Sequence, residues 1–94
     1  MAWRLSRAAK VDLRNILKFG VQHFGRHQAR HYGAHLEQAF QLLSEQPHMG
    51  RIRPGLRPET RIHPHGAHII VYATGPNGID IIRVRHGREN WQEA

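Results

Sequence analysis

The order of hydrophobic periods predicts an α+β fold of type βααβββ, with an antiparallel helical hairpin on one face of a small, mainly antiparallel twisted sheet. Apolar residues recur every three or four positions between Ser6 and Glu45 and follow a strand-like pattern from Thr60 to Arg85, with a segment rich in proline and glycine between them. The 94 residues are expected to form one domain, 1–94, because a chain of this length buries only about 60–65% of its unfolded surface.

Trp3-Arg4-Leu5 reads as a short extended start. Ser6 then offers a side-chain oxygen to an otherwise unpaired N–H, which makes it a helix N-cap. The first helix runs to about Phe24, with Ala9, Leu13, Ile16, Leu17, Gly20 and Phe24 on one face, expected to be the core side. Gly25 closes it in a left-handed conformation, and a second helix extends from near His27 to Glu45 with Ala29, Tyr32, Leu36, Ala39, Phe40 and Leu43 at helical spacing. The short connection makes the pair an antiparallel hairpin.

Pro47 and Gly50 end the helical pattern, and Arg51 to Pro58 is expected to be a surface loop. Three strands follow, over Thr60–His63, His68–Ala73 and Ile79–Arg85, each rich in β-branched residues. Pro64-His65-Gly66 and Gly75-Pro76-Asn77-Gly78 supply the turns of an antiparallel meander. The initial strand joins this sheet, and the face away from the hairpin is left partly exposed.

Lys and Arg outnumber Asp and Glu by 14 to 7, so the formal charge is +7, and nine histidines add to it as pH falls. The partner should therefore be acidic, a class that includes nucleic acid, an acidic protein segment and an anionic surface. Cysteine is absent, which removes disulfides, thiolate metal sites and cysteine nucleophiles and permits a reducing compartment such as the cytoplasm. No membrane span or export signal is expected.

Gly-rich phosphate loops, paired carboxylates and Ser-His-Asp arrangements are missing, so neither a conventional enzyme nor a cofactor is expected. Two basic groups stand out. Arg7, Lys10, Arg14 and Lys18 share one helix stripe, and Arg51, Arg53, Arg57 and Arg61 form a second cluster. Each reads either as a solvated face or as a strip that steers an acidic partner. His23, His27, His31 and His35 follow one another at a spacing of four, close enough for neighbouring imidazoles to share a metal. They fall off the apolar stripe without an obvious completing ligand, and no metal site is expected.

In order along the chain, Leu5-Ser6-Arg7-Ala8-Ala9 with Asp12-Leu13 and Ile16, then Phe24-Gly25 with Gln28-Ala29, Tyr32, Leu36 and Phe40, resemble the two helices of ParE-type toxins of the RelE/ParE superfamily. Pro47, Gly50-Arg51 and Leu56-Arg57 resemble the family's loop. Ile70-Val71-Tyr72 and Ile81-Ile82-Arg83-Val84-Arg85-His86-Gly87-Arg88 resemble its last two strands. The resemblance covers nearly the whole chain.

It implies the toxin of a type II toxin–antitoxin pair, neutralised by a tightly bound, acidic, ParD-like antitoxin in a hetero-oligomer, and acting as a non-enzymatic poison of DNA gyrase. Arg83, Arg85, His86 and Arg88 become candidate target contacts, and Arg7, Lys10, Arg14, Lys18, Arg57 and Arg61 candidate antitoxin contacts. The alternative is ribosome-dependent mRNA cleavage of the RelE kind, with His86 as general acid/base and Arg83 and Arg85 as phosphate clamp. Against it, the chain ends Glu89-Asn90-Trp91-Gln92-Glu93-Ala94 without the tyrosine of RelE-like nucleases, and the Arg51–Arg61 region lacks their lysine pair.

Overall fold

A computed structural model describes residues 2–53 and 59–87. Strand β1 (Ala2–Leu5) leads into helices α1 (Arg7–Phe24) and α2 (Arg26–Glu45), and strands β2 (Arg51–Arg53), β3 (Thr60–His65), β4 (His68–Gly75) and β5 (Gly78–His86) follow. The sheet order is β1-β5-β4-β3-β2. All pairings are antiparallel except that of β1 with β5, which is parallel.

This is the expected α+β architecture with one strand more. Arg51–Arg53, at the start of the segment read as a loop, pairs with Thr60–Ile62 and forms a sheet edge. Three residues are too few to show a strand period, so the pairing is supplied by β3. β3 also runs on through Pro64 to His65, which places the turn at Gly66 and Ala67.

Ser6 caps α1 as its position predicts, accepting the Ala9 N–H at 3.0 Å. The same hydroxyl donates to the Ile82 carbonyl oxygen at 2.6 Å, and the Ser6 N–H donates to Ile81 at 2.9 Å. The cap thus fixes the start of the hairpin to the sheet. Gly25 alone joins the helices, its N–H donating to Val21 O and its carbonyl accepting from the Ala29 N–H. Its φ of 90° and ψ of 162° lie in an extended positive-φ region, rather than the left-handed helical one expected, and a side chain there would be strained. Close helix packing follows at Gly20, where an added Cβ would come within 3.1 Å of the Ala29 Cβ.

The core lies between hairpin and sheet. Leu36, Phe40 and Leu43 of α2 and Ala9 of α1 pack with Ile70, Tyr72, Ile79, Ile81 and Val84. Trp3 closes one side, its ring centroid 5.1 Å from that of Phe40. The β4–β5 register passes over Ile82, a bulge that shifts the side-chain phase, so Val84 rather than Arg83 follows Ile79 and Ile81 into the core. Tyr72 is fully buried, and its hydroxyl accepts the Gly50 N–H at 2.9 Å and donates to Pro47 O at 2.8 Å. Burial raises its pKa above 10.0, against the opposing effects of the Gly50 hydrogen bond and the Arg61 charge. The far face is less open along β4 than strand alternation implies, since Val71 and Ala73 are buried as well.

Candidate binding groove

The apolar face of α1 does not stay in the core along its whole length. Ala9 is fully buried and Leu13 and Ile16 are half-buried, but Leu17, expected on the core side, is exposed, and Phe24 is 64% exposed. Phe19, off the predicted face, is 56% exposed. Of the 18 residues of α1, only Ala9 is fully buried, and the exposed Leu17, Phe19 and Phe24 lie in its last turns.

Between these turns, the first half of α2 and the ends of β4 and β5 lies a groove of about 830 Å³. Ile16, Phe19, Gly20, Phe24, Ala29 and Val84 give it an apolar surface. Tyr32 is the polar centre. Its hydroxyl donates to His65 O at 3.2 Å and lies 2.6 Å from His68 Nδ1. Burial raises the Tyr32 pKa above 10.0, against a hydrogen bond to the backbone of Ala67, so the hydroxyl stays protonated at neutral pH.

At the groove's α1 end, Asp12 is nearly buried and accepts Arg83 Nε at 2.8 Å, Arg83 Nη2 at 2.9 Å and the Val84 N–H at 3.0 Å. Burial raises the Asp12 pKa, but these hydrogen bonds and the charges of Arg83 and Arg85 outweigh it, and the net value falls below 3.8. A two-point arginine fork of this kind fixes α1 against β5.

The predicted site residues separate under this geometry. Arg83, expected to contact the target or a phosphate, is committed to Asp12. Arg85 is half-buried beside it, and His86 is exposed at the end of β5, 5.5 Å from the His68 ring. Arg7, Lys10, Arg14 and Lys18 are all exposed, and none of them lines the groove. Arg61, expected at the antitoxin, instead holds the turn before β2: its Nη1 donates to Gly50 O at 2.8 Å and His48 O at 3.3 Å, and its Nη2 meets Glu59 at 3.1 Å. The side chain is only 14% exposed, because the extra strand β2 brings that turn against it. Arg57 and Arg88 lie outside the described residues.

Sequence reasoning missed Phe19 and the setting of the histidines. Three of the four at helical spacing, His27, His31 and His35, line the groove with His68 and His86. His23 instead stacks on Phe19 with ring centroids 3.9 Å apart. No group of three side chains that could hold a metal occurs among the described residues. An aromatic floor walled by imidazoles is suited to binding an apolar, acidic segment.

Comparison with known proteins agrees with the fold and with the resemblance. Residues 3–91 match the family described as ParE toxin of type II toxin-antitoxin system, parDE. The chain is 36% identical over 88 residues to Toxin ParE1 of Caulobacter vibrioides, covering 94% of this chain and 91% of that protein. It is 34% identical over 85 residues to Toxin ParE1 of Mycobacterium tuberculosis, covering 89% and 87%. The solved structure titled "Chromosomal ParDE TA system from P. aeruginosa" superposes with a TM-score of 0.75 at 20% identity, over 92% of this chain and 95% of that one. The chain therefore belongs to the ParE toxin family of type II toxin–antitoxin systems.

Proposed function

We propose that this toxin acts in the cytoplasm by inhibiting DNA gyrase without catalysing a reaction, and that a cognate ParD-like antitoxin neutralises it by laying an acidic, partly apolar segment into the groove. The observation that carries the antitoxin half is the pair Phe19 and Phe24, both more than half exposed at the mouth of a groove of about 830 Å³. A protein of 94 residues and formal charge +7 gains from covering such a surface with a segment of opposite charge. Arg7, Lys10, Arg14 and Lys18 are exposed on α1 outside the groove and steer that segment by long-range attraction. The unit is one toxin to one antitoxin, paired again through the antitoxin's own dimerisation.

Family membership supports the gyrase half, with Arg85, His86 and Arg88 proposed as the target contacts and Arg83 as the residue that sets β5 against α1. Ribosome-dependent mRNA cleavage is the second reading, and the exposure of His86 beside His68 favours it. The engagement of Arg83 by Asp12 weighs against it, since that guanidinium would have to serve as phosphate clamp. Gyrase supercoiling titrated with the toxin, with and without antitoxin, and beside a ribosome-programmed mRNA control, separates the two. Supercoiling inhibited reversibly with intact mRNA is expected; cleaved mRNA with unaffected gyrase would replace the first reading by the second.

A further inference from the structure

More than half of the nine histidines of this chain are concentrated in one place. Five of them, His27, His31, His35, His68 and His86, line the groove. Along α2 the first three form a ladder, with ring centroids 6.2 Å apart from His27 to His31 and 4.6 Å apart from His31 to His35. A sixth, His65, packs behind Tyr32 at 5.8 Å.

The charged groups facing these rings do little to balance them. From α1 comes Asp12, whose carboxylate is taken up by Arg83 and the Val84 N–H. From β5 comes His86, with Arg83 and Arg85 placed beside Asp12; from β4 comes His68; and from β3 come His65 and His63. An imidazole ordinarily changes charge near pH 6.5. Imidazolium charges at this helical spacing repel one another, and an anionic neighbour offsets that repulsion. The bonds around Tyr32 tolerate this change. With its hydroxyl donating to His65 O, the Tyr32 oxygen is left to accept from a protonated His68 Nδ1.

We propose that the groove is a proton-linked docking site, in which an acidic antitoxin segment seated on Phe19, Phe24 and Tyr32 draws protons onto the His27–His31–His35 ladder and binds more tightly as pH falls. The inference rests on the reading that the antitoxin occupies this groove. Its occupant is acidic because five imidazoles line the groove of a chain already at +7. Carboxylates set beside the rings favour the imidazolium form, so association takes up protons and stability of the complex follows pH. Modest contact at each of three rings amounts to about a tenfold tightening between pH 8 and pH 6.

The test is titration calorimetry of the toxin with the antitoxin encoded beside it, at pH 8, 7 and 6, in two buffers of different ionisation heat. Three toxins are compared: the wild type, His27→Gln/His31→Gln/His35→Gln, and Phe19→Ser/Phe24→Ser. These side chains are exposed, and circular dichroism checks that each variant folds, with His31→Gln alone as a milder substitute. Expected are proton uptake and about tenfold tightening for the wild type, and a flatter pH profile with less uptake for the glutamine variant. Equal pH profiles for these two, while the Phe variant binds weakly, would overturn the proton linkage and leave the docking reading intact. A Phe variant that binds like the wild type would overturn the docking reading and this inference with it.

Discussion

The two ends of the helical hairpin meet opposite fates. Toward the end of α2, Leu36, Phe40 and Leu43 are sealed between Trp3 and the sheet, and Tyr72 closes the layer with a hydroxyl satisfied on both sides. Toward the Gly25 connection, Phe19 and Phe24 stand bare over a groove walled by histidines. Both ends are aromatic, so composition does not distinguish them. Their difference lies in what covers them: the buried residues of α1 and α2 pack on the sheet, chiefly on β1 and β5, whereas Phe19 and Phe24 stay more than half exposed. A small fold that leaves aromatic rings uncovered has placed its stability at one end and its capacity to bind at the other.

Phe40→Ala tests the closed end and should have the largest effect. The residue has no exposed surface, and emptying its place costs about 3–5 kcal/mol, enough to lower the melting temperature by tens of degrees or prevent folding, as a thermal melt would show. Phe19→Ser/Phe24→Ser is its counterpart at the open end. Thermal stability should change little, while antitoxin affinity falls by about a hundredfold, the scale of two binding hot spots, as surface-based or calorimetric titration would show. If the double variant instead unfolds, the open end belongs to the core and the contrast collapses.

Asp12→Ala probes the boundary between the two halves. It strands the Arg83 guanidinium and the Val84 N–H, and should cost about 2–3 kcal/mol in chemical denaturation, less than a fully buried pair because Arg83 is 37% exposed. The smallest effect expected is that of pH on the free toxin. Desolvation, with the nearby His35 and His63, depresses the pKa of His65 below 6.5. A histidine with a depressed folded value contributes stability that is present above 6.5 and lost as pH falls through the folded value. The free toxin should therefore melt lower at pH 5.5 than at pH 7.5, and His65→Gln should reduce that difference.

Much of the fold was legible because local chemistry and long-range packing agree. Ser6 caps α1, Gly25 ends it, and the change of period after Pro47 marks the passage from hairpin to sheet. β2 was not legible, since Arg51, Ile52 and Arg53 carry no period of their own and become a strand only against β3. The site was legible in part. The basic stripe of α1 is exposed as expected, whereas Arg61 and Arg83 look like surface cations in sequence and are held by a turn and by a carboxylate in space. The bulge at Ile82 breaks the strand parity from which their faces would be read. His27, His31 and His35 were correctly read as exposed; that His68 and His86 stand opposite them depends on where the sheet ends, which no spacing along α2 encodes.

Amide hydrogen exchange of the toxin, free and bound to its antitoxin, most directly tests the claim that the open end is the docking surface. Slowed exchange concentrated between Asp12 and His35, with the amides of Ile70 and Tyr72 slow in both states, is the result expected. Unchanged exchange over that span, with new protection only on the far face of the sheet, would contradict it.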